Sequence, residues 1–440
     1  MSSDRKYDLV VYGATGFTGA YTAEYIAKLH DKNLKWALAG RSIPKLEKVR
    51  DTLAAIDEQL KNLDLLVVDS FNPDSLDEAF KQAKVIISTV GPFEKYGTPV
   101  VESCIRQGTH YVDITGEFTW AKTIIDKYHD AAVENGTIIV PFCGFDCVPS
   151  DMGAYMVVNY IRKKFGLDTS DVKLSVKRLR GGASGGTIQT SLNILRHEKA
   201  GEAQDPYYLS PFVGIDKFRI PWMRWDADFK KWQAYYIMSM VNELVVRRSY
   251  GISTTRGSTY GKTFKYRSVK SNTLFKVMSR LGLSDMLTSH AVFRESMSFP
   301  FLGAFAMTFI AVGILPWLGM LFKLSPIYRL VSSLLPQGGT GPSREAIIKG
   351  SYELELIGTA ETEPYENPIR VRGIVRGRMD PGYGDTCRMV AESALSIVYG
   401  YDKLPGKAGG ILTPASAFGD VLLTRLRDEG GMDFLIEQIE

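Results

Sequence analysis

Three glycines at a fixed interval come first among the residues that can do chemistry: Gly13-Ala14-Thr15-Gly16-Phe17-Thr18-Gly19. The apolar run Tyr7–Tyr12 precedes them, and a helix-length amphipathic stretch over about 16–29 follows. A glycine-lined turn between a buried strand and a helix aims backbone N–H groups at whatever sits on the helix's amino end, and that end favours an anion. Gly13 permits the tight turn, Gly16 lets the backbone approach a pyrophosphate, and Gly19 allows the helix to pack closely on the sheet. Thr15, Phe17 and Thr18 add backbone or hydroxyl donors. A glycine triplet alone is a weak signal; placed between strand and helix, this one predicts a dinucleotide site.

The second apolar run decides which nucleotide. Leu34–Arg41 leads into Gly40-Arg41-Ser42, with Lys45 a turn later. A site for the unphosphorylated cofactor usually ends this strand in Asp or Glu, which accepts from the ribose 2′-hydroxyl. Here Arg41 and Ser42 stand instead, and both can hold a 2′-phosphate that a carboxylate would repel. The expected cofactor is NADPH. Asp69-Ser70 closes a third run, where adenine would lie, although Asp69 is equally suited to capping the following helix. Thr89-Val90-Gly91-Pro92 closes a fourth, beside the nicotinamide ribose.

These residues need a frame to hold them. Apolar runs ending at Tyr12, Arg41, Ser70, Val90, Thr115 and Gly144 alternate with helix-length stretches such as Pro44–Leu60. Strands this apolar, separated by helices, predict an α/β fold: a doubly wound parallel sheet with the cofactor across its carboxyl ends. A chain of 440 residues is long for one core, so two domains are expected. Beyond Asp151 the pattern changes. Val172–Gly182 reads as a strand, Ser351–Thr362 and Ile369–Met379 as strands whose partial alternation suits a half-exposed sheet, and 385–399 and 414–429 as helices.

Composition excludes several roles. A net charge of +4 without a basic run argues against nucleic acid. Four cysteines without a CxxC predict reduced thiols, and five scattered histidines give no metal pattern. The polar amino-terminal residues lack a signal-peptide core, so cytoplasmic synthesis is expected.

Hydride transfer needs a proton source near the reacting carbon. The candidates for it come from loops facing the cofactor. Asp146 follows a strand end beside Phe145, itself a cofactor-binding candidate, Gly185-Gly186-Thr187 offers backbone, and Tyr383 sits in Asp380-Pro381-Gly382-Tyr383-Gly384. A turn-capping Asp146 and an ordinary loop aromatic at Tyr383 are the plainer alternatives. Ser296–Phe322, within an apolar stretch reaching 335, contains no charge. It suits a buried core helix, a homodimer contact, or an interfacial hairpin on a membrane or lipid droplet, to which Trp222–Trp232 would add.

Taken together, GATGFTG (13–19), LAGRS (38–42), TVGPFEKYGTPVV (89–101), YVDITGE (111–117), CGFDCVPSD (143–151), ASGGT (183–187), MDPGYGDT (379–386) and GGILTPASAFGD (409–420) resemble the saccharopine dehydrogenase-like oxidoreductases. That family includes bacterial trans-acting enoyl reductases. The resemblance implies a Rossmann domain over 1–150, an inserted mixed α/β domain over 151–400, and a carboxyl-terminal helix within 401–440 that returns to the Rossmann side. It also implies NADPH-dependent reduction of an activated C=C bond in an apolar or carrier-linked substrate. Two alternatives stay open: a lipid-surface NADP-binding protein without catalysis, and an imine-forming dehydrogenase of saccharopine type.

Overall fold

The computed structural model describes residues 5–181, 205–211, 223–236, 238–255, 295–310, 341–362 and 367–439, with single positions at 314, 321 and 326. Strand β1 (Tyr7–Tyr12) sends Leu9 and Val11 into one apolar cluster and Val10 and Tyr12 into another. β2 (Trp36–Gly40) divides Leu38 from Ala37 and Ala39 in the same way. After β3 (Asp64–Val67), β4 (Ala83–Ser88) divides Val85 and Ile87 from Ile86. Side chains alternate across a strand, so a continuous apolar run is what burial on both faces requires. Ile86 and Ile87 are fully buried, and each such side chain contributes roughly 1.5–3 kcal/mol by transfer from water.

With β5 (His110–Asp113) and β6 (Ile138–Val140), these strands form a parallel sheet in the order β6-β5-β4-β1-β2-β3, extended beside β6 by Gly410–Ile411. The order reverses between β1 and β4, the place where such sheets bind ligands. Helices α1 (Phe17–Lys28) and α2 (Ile43–Ala54) cover one face through Ala23, Ile26, Leu46 and Leu53. The helix Thr386–Gly400 covers the same face with Met389, Val390 and Ala394. On the other face lie α3 (Pro73–Phe80), α4 (Phe93–Gln107) and α5 (Phe118–Glu134), through Leu76, Val100, Val101 and Ile124. The doubly wound parallel sheet expected from the apolar runs is the one observed.

Helix α6 (Val148–Phe165) leaves the end of β6 and lies on a second, mixed sheet built around β7 (Thr169–Arg180), Ser351–Ala360 and Arg370–Gly377. Arg224–Asp226, Lys231–Tyr235, Glu295–Phe299 and Asp433–Gln438 complete it. Among the described residues, only the pairing of Glu295–Phe299 with β7 is parallel in this sheet. One apolar cluster runs without a break from Leu9 and Ile87 to Leu354 and Val375, so the two sheets share a core.

Local departures from the sequence pattern have local causes. The helix expected over Pro44–Leu60 spans only Ile43–Ala54, and a short 3-10 turn at Glu58–Asn62 follows. The stretch 414–429 is two helices, Pro414–Phe418 and Asp420–Asp428, because Gly419 between them has φ +52°. The uncharged segment from Ser296 begins inside a strand and turns helical only at Phe301–Phe309, after Pro300. Among the described residues no helix is long and apolar enough to cross a membrane. Gly185-Gly186-Thr187, Trp222 and most of 311–335 lie outside the described residues.

Candidate active site

The carboxyl ends of six adjacent strands bring the candidate residues to one edge of the sheet. At the end of β1, Gly13 has φ +88°, and a Cβ there would lie 2.7 Å from both Thr89 Oγ1 and Val90 Cγ2. A Cβ on Gly19 would overlap the Gly13 carbonyl oxygen. Both positions therefore demand glycine, one for conformation and closeness, the other for closeness alone. Thr89 donates its hydroxyl to the Tyr12 and Gly13 carbonyls at 3.2 and 3.3 Å, which ties the end of β4 to the turn.

Gly16 is the N-cap of α1, exposed and without a capping side chain, and no acidic residue occupies the first turn. The N–H groups of Phe17, Thr18 and Gly19 lie in the first turn, where no intrahelical acceptor is available, next to exposed Thr15 and Gly16. The Phe17 ring turns the other way, 5.0 Å from Tyr21 and 5.2 Å from Tyr383, so its contribution to the turn is its backbone.

At the end of β2, Arg41 and Lys45 are exposed and form no ion pair among the described residues. Ser42 is the N-cap of α2, yet its hydroxyl makes no capping bond. A guanidinium, an ammonium, a hydroxyl and a helix amino end converge there with no carboxylate bonded among them, which suits a phosphate. The turn and this cluster fit the two phosphorylated regions of NADP(H).

At the end of β3 the two residues part company. Asp69 accepts from the Phe71 N–H at 3.0 Å, holding the loop, whereas Ser70 is 2% exposed and bonds the Tyr12 hydroxyl at 2.8 Å. Ser70 thus braces the loop. Gly91 and Pro92 stand at the amino end of α4, where the Glu117 carboxylate accepts from the Phe93 and Glu94 N–H groups at 3.0 and 2.7 Å. Burial raises the Glu117 carboxyl above its ordinary range. Asp113, at the end of β5, accepts from the Thr115 and Phe142 N–H groups and the Tyr111 hydroxyl, and burial pushes it up to about 7. Neither Glu117 nor Asp113 stands out in the sequence by type; both lie within YVDITGE, and only the fold shows that they pin the loops on either side.

Beyond β6 the chain turns through Gly144–Cys147 into α6. Phe145 packs its ring 4.6 Å from Tyr352 of the second sheet and donates its N–H to the Thr386 hydroxyl at 3.0 Å, leaving only backbone at the edge. Asp146 keeps partial exposure beside Gly116, and its carboxyl has no hydrogen-bond partner among the described residues. Desolvation alone pushes it up to about 6. Tyr383 is 3% exposed, its N–H bonded to Asp380 Oδ1 at 2.8 Å and its ring edge-on to Phe17. All four cysteines are buried and free. A shallow recess lined by Arg5, Tyr7, Trp36 and Asp64 opens at the opposite, amino ends of the strands, away from this edge.

Fold and site together define the class, a Rossmann-type dinucleotide-binding protein with a site shaped for a phosphorylated ribose. The model of the saccharopine dehydrogenase NADP binding domain matches residues 9–140. A Mycobacterium tuberculosis chain, provisionally named a trans-acting enoyl reductase, is 33% identical over 98% of this chain and 97% of its own. The trans-acting enoyl reductase of Mycobacterium leprae is 31% identical over 98% of each. The apo saccharopine dehydrogenase (L-Glu forming) of Saccharomyces cerevisiae shares the fold with a TM-score of 0.52 at 12% identity, covering 99% of this chain and 100% of that one. The chain belongs to the saccharopine dehydrogenase-like oxidoreductase family, and NADP(H) is its cofactor.

Proposed function

We propose that this chain uses NADPH to reduce an activated carbon–carbon double bond in an apolar or carrier-linked acyl substrate, with Asp146 as the proton donor. The observation that carries this reading is the Asp146 carboxyl: partly exposed, without a hydrogen-bond partner among the described residues, and raised to about 6 on the strand edge that receives the cofactor. The relatives named trans-acting enoyl reductases support the choice of bond and of a carrier-linked substrate.

The bound cofactor supplies a hydride. The residues of this chain do the rest. The turn Gly13–Gly19 holds the diphosphate, and Arg41, Ser42 and Lys45 hold the 2′-phosphate. Thr89 through Pro92, steadied by Glu117, wall the ribose on the reacting side. As the hydride adds to the β-carbon, Asp146 gives its proton to the α-carbon beside the carbonyl and is left as a carboxylate, to be reprotonated from solvent. The proton is assigned to Asp146 over Tyr383 because the Tyr383 ring is turned onto Phe17 and nearly sealed from the edge.

The acid must be neutral to act, so kcat/KM should fall as pH rises through about 6. Asp146→Asn should abolish that limb and lower kcat by roughly 100-fold or more, the usual share of a positioned acid. NADPH consumption with enones and unsaturated acyl thioesters is the assay. A pH profile unchanged by Asp146→Asn overturns the assignment.

A second reading, an NADP-binding protein held at a lipid surface without turnover, is favoured by one feature. Leu302, Phe305 and Phe309 on Phe301–Phe309 are 77%, 54% and 62% exposed, and Trp232 lies 5.1 Å from Phe301. Tight NADPH binding with no consumption in the same assay, across all acceptors, is the result that selects it.

A further inference from the structure

The adenosine end of the cofactor site carries an aromatic pair that the chemistry above leaves unused. Phe71 follows β3 and is 61% exposed, its ring 5.3 Å from that of Tyr96 at an interplanar angle of 58°. Its backbone is fixed from several directions. Asp69 accepts from its N–H at 3.0 Å, the Asn72 N–H bonds the Asp69 carbonyl at 2.9 Å, and Ser70 is tied to Tyr12. Tyr96 is equally placed, one turn into α4, with its N–H on the Pro92 carbonyl at 3.1 Å. A loop held this firmly presents its one large apolar ring outward by design of its bonds, not by slack.

Position says what the ring meets. β3 is the neighbour of β2, whose end bears Arg41. The Tyr12 hydroxyl at the end of β1 lies within the electrostatic reach of both Arg41 and Asp69, so the two loops flank one spot. A 2′-phosphate on Arg41 fixes the adenosine ribose there, and the base attached to that ribose must lie over the neighbouring loop. A flat aromatic base and an exposed ring stabilise each other by stacking whatever the base's hydrogen-bonding pattern.

We infer that Phe71, backed by Tyr96, is the platform on which the adenine of NADP(H) stacks. The inference rests on the cofactor and not on the reaction proposed above. Calorimetric titration of the full chain with adenosine 2′,5′-bisphosphate tests it without turnover. Phe71→Ala should weaken binding about tenfold, the ordinary worth of one base on one ring, and Phe71→Tyr should hold it within about twofold. The exposed ring makes little of the core, so thermal unfolding of both variants should match the parent and exclude misfolding. A Phe71→Ala protein that binds the bisphosphate as the parent does, or a Phe71→Tyr protein as weak as Phe71→Ala, overturns the platform. Failure of the unaltered chain to bind the bisphosphate at all strikes the cofactor site itself, and the platform with it.

Discussion

Arg41 directly follows β2, where the unphosphorylated cofactor would want a carboxylate, and its guanidinium is exposed and without an ion-pair partner among the described residues. A charge-assisted hydrogen bond to a phosphate oxygen is worth about 1.5–3 kcal/mol. Arg41→Ala should therefore weaken NADPH binding about 10- to 100-fold while changing NADH binding less than about threefold. Calorimetry with the two cofactors in parallel reads the difference, and equal losses for both would show that Arg41 does not recognise the 2′-phosphate. Arg41 was legible in the sequence as a candidate because its place is set by the end of β2 alone. The roles of Ser70 and Phe145 were not. Their positions at strand ends were clear, but the direction of each side chain depends on Tyr12 and on Tyr352, partners 58 residues away for the first bond and in another sheet for the second contact.

At the scale of elements, the glycine turn is a contact between a helix and a carbonyl. A methyl group on Gly19 would overlap the Gly13 oxygen, which is backbone and has little room to move. Gly19→Ala should cost roughly 1–3 kcal/mol through overpacking, lower the melting temperature, and abolish NADPH binding by displacing the amino end of α1. Retention of both properties would mean that the helix can slide on β1. The strand–turn–helix unit could be read from the sequence because all of it lies within 22 residues, Tyr7 to Lys28. The split at Gly419 could not, since a single glycine inside an amphipathic pattern is tolerated in many helices. Nor could the strand at Glu295–Phe299, whose pairing with β7 and with Lys231–Tyr235 is decided by distant segments and outweighs the apolar composition that follows it.

At the scale of the whole molecule, the shared core buries acids. Asp113, Asp151 and Asp385 are each pushed by burial up to about 7, and His110 is pushed by burial down to about 4. In the unfolded chain the carboxyls titrate near 3.8 and the histidine near 6.5. Between those values the folded state holds three protons that the unfolded state has released and lacks one that the unfolded state binds. The folded state thus carries the excess, and stability falls as pH rises through this range. The melting temperature should be higher at pH 5 than at pH 7.5, and a rise over that interval would show that these carboxyls are ionised in the fold. The doubly wound sheet was legible because its strands are apolar on both faces. The joining of the two sheets into one core was not, because α6 is buried around most of its circumference, Ser150, Asp151 and Asn159 included, and so gives no apolar stripe that marks which layers it serves.

That continuity sets an order of events during synthesis. The nucleotide-binding loops are complete by about residue 150, yet Phe145 waits for the hydroxyl of Thr386, 241 residues later, and the sheet gains its last strand only at Gly410–Ile411. Contacts so far apart along the chain cannot close until the segment carrying Thr386 and Gly410–Ile411 has left the ribosome. A nascent chain stopped just past α6 would carry the glycine turn but expose the apolar face that Met389, Val390 and Ala394 later cover. Until then the growing polypeptide must be shielded from its neighbours.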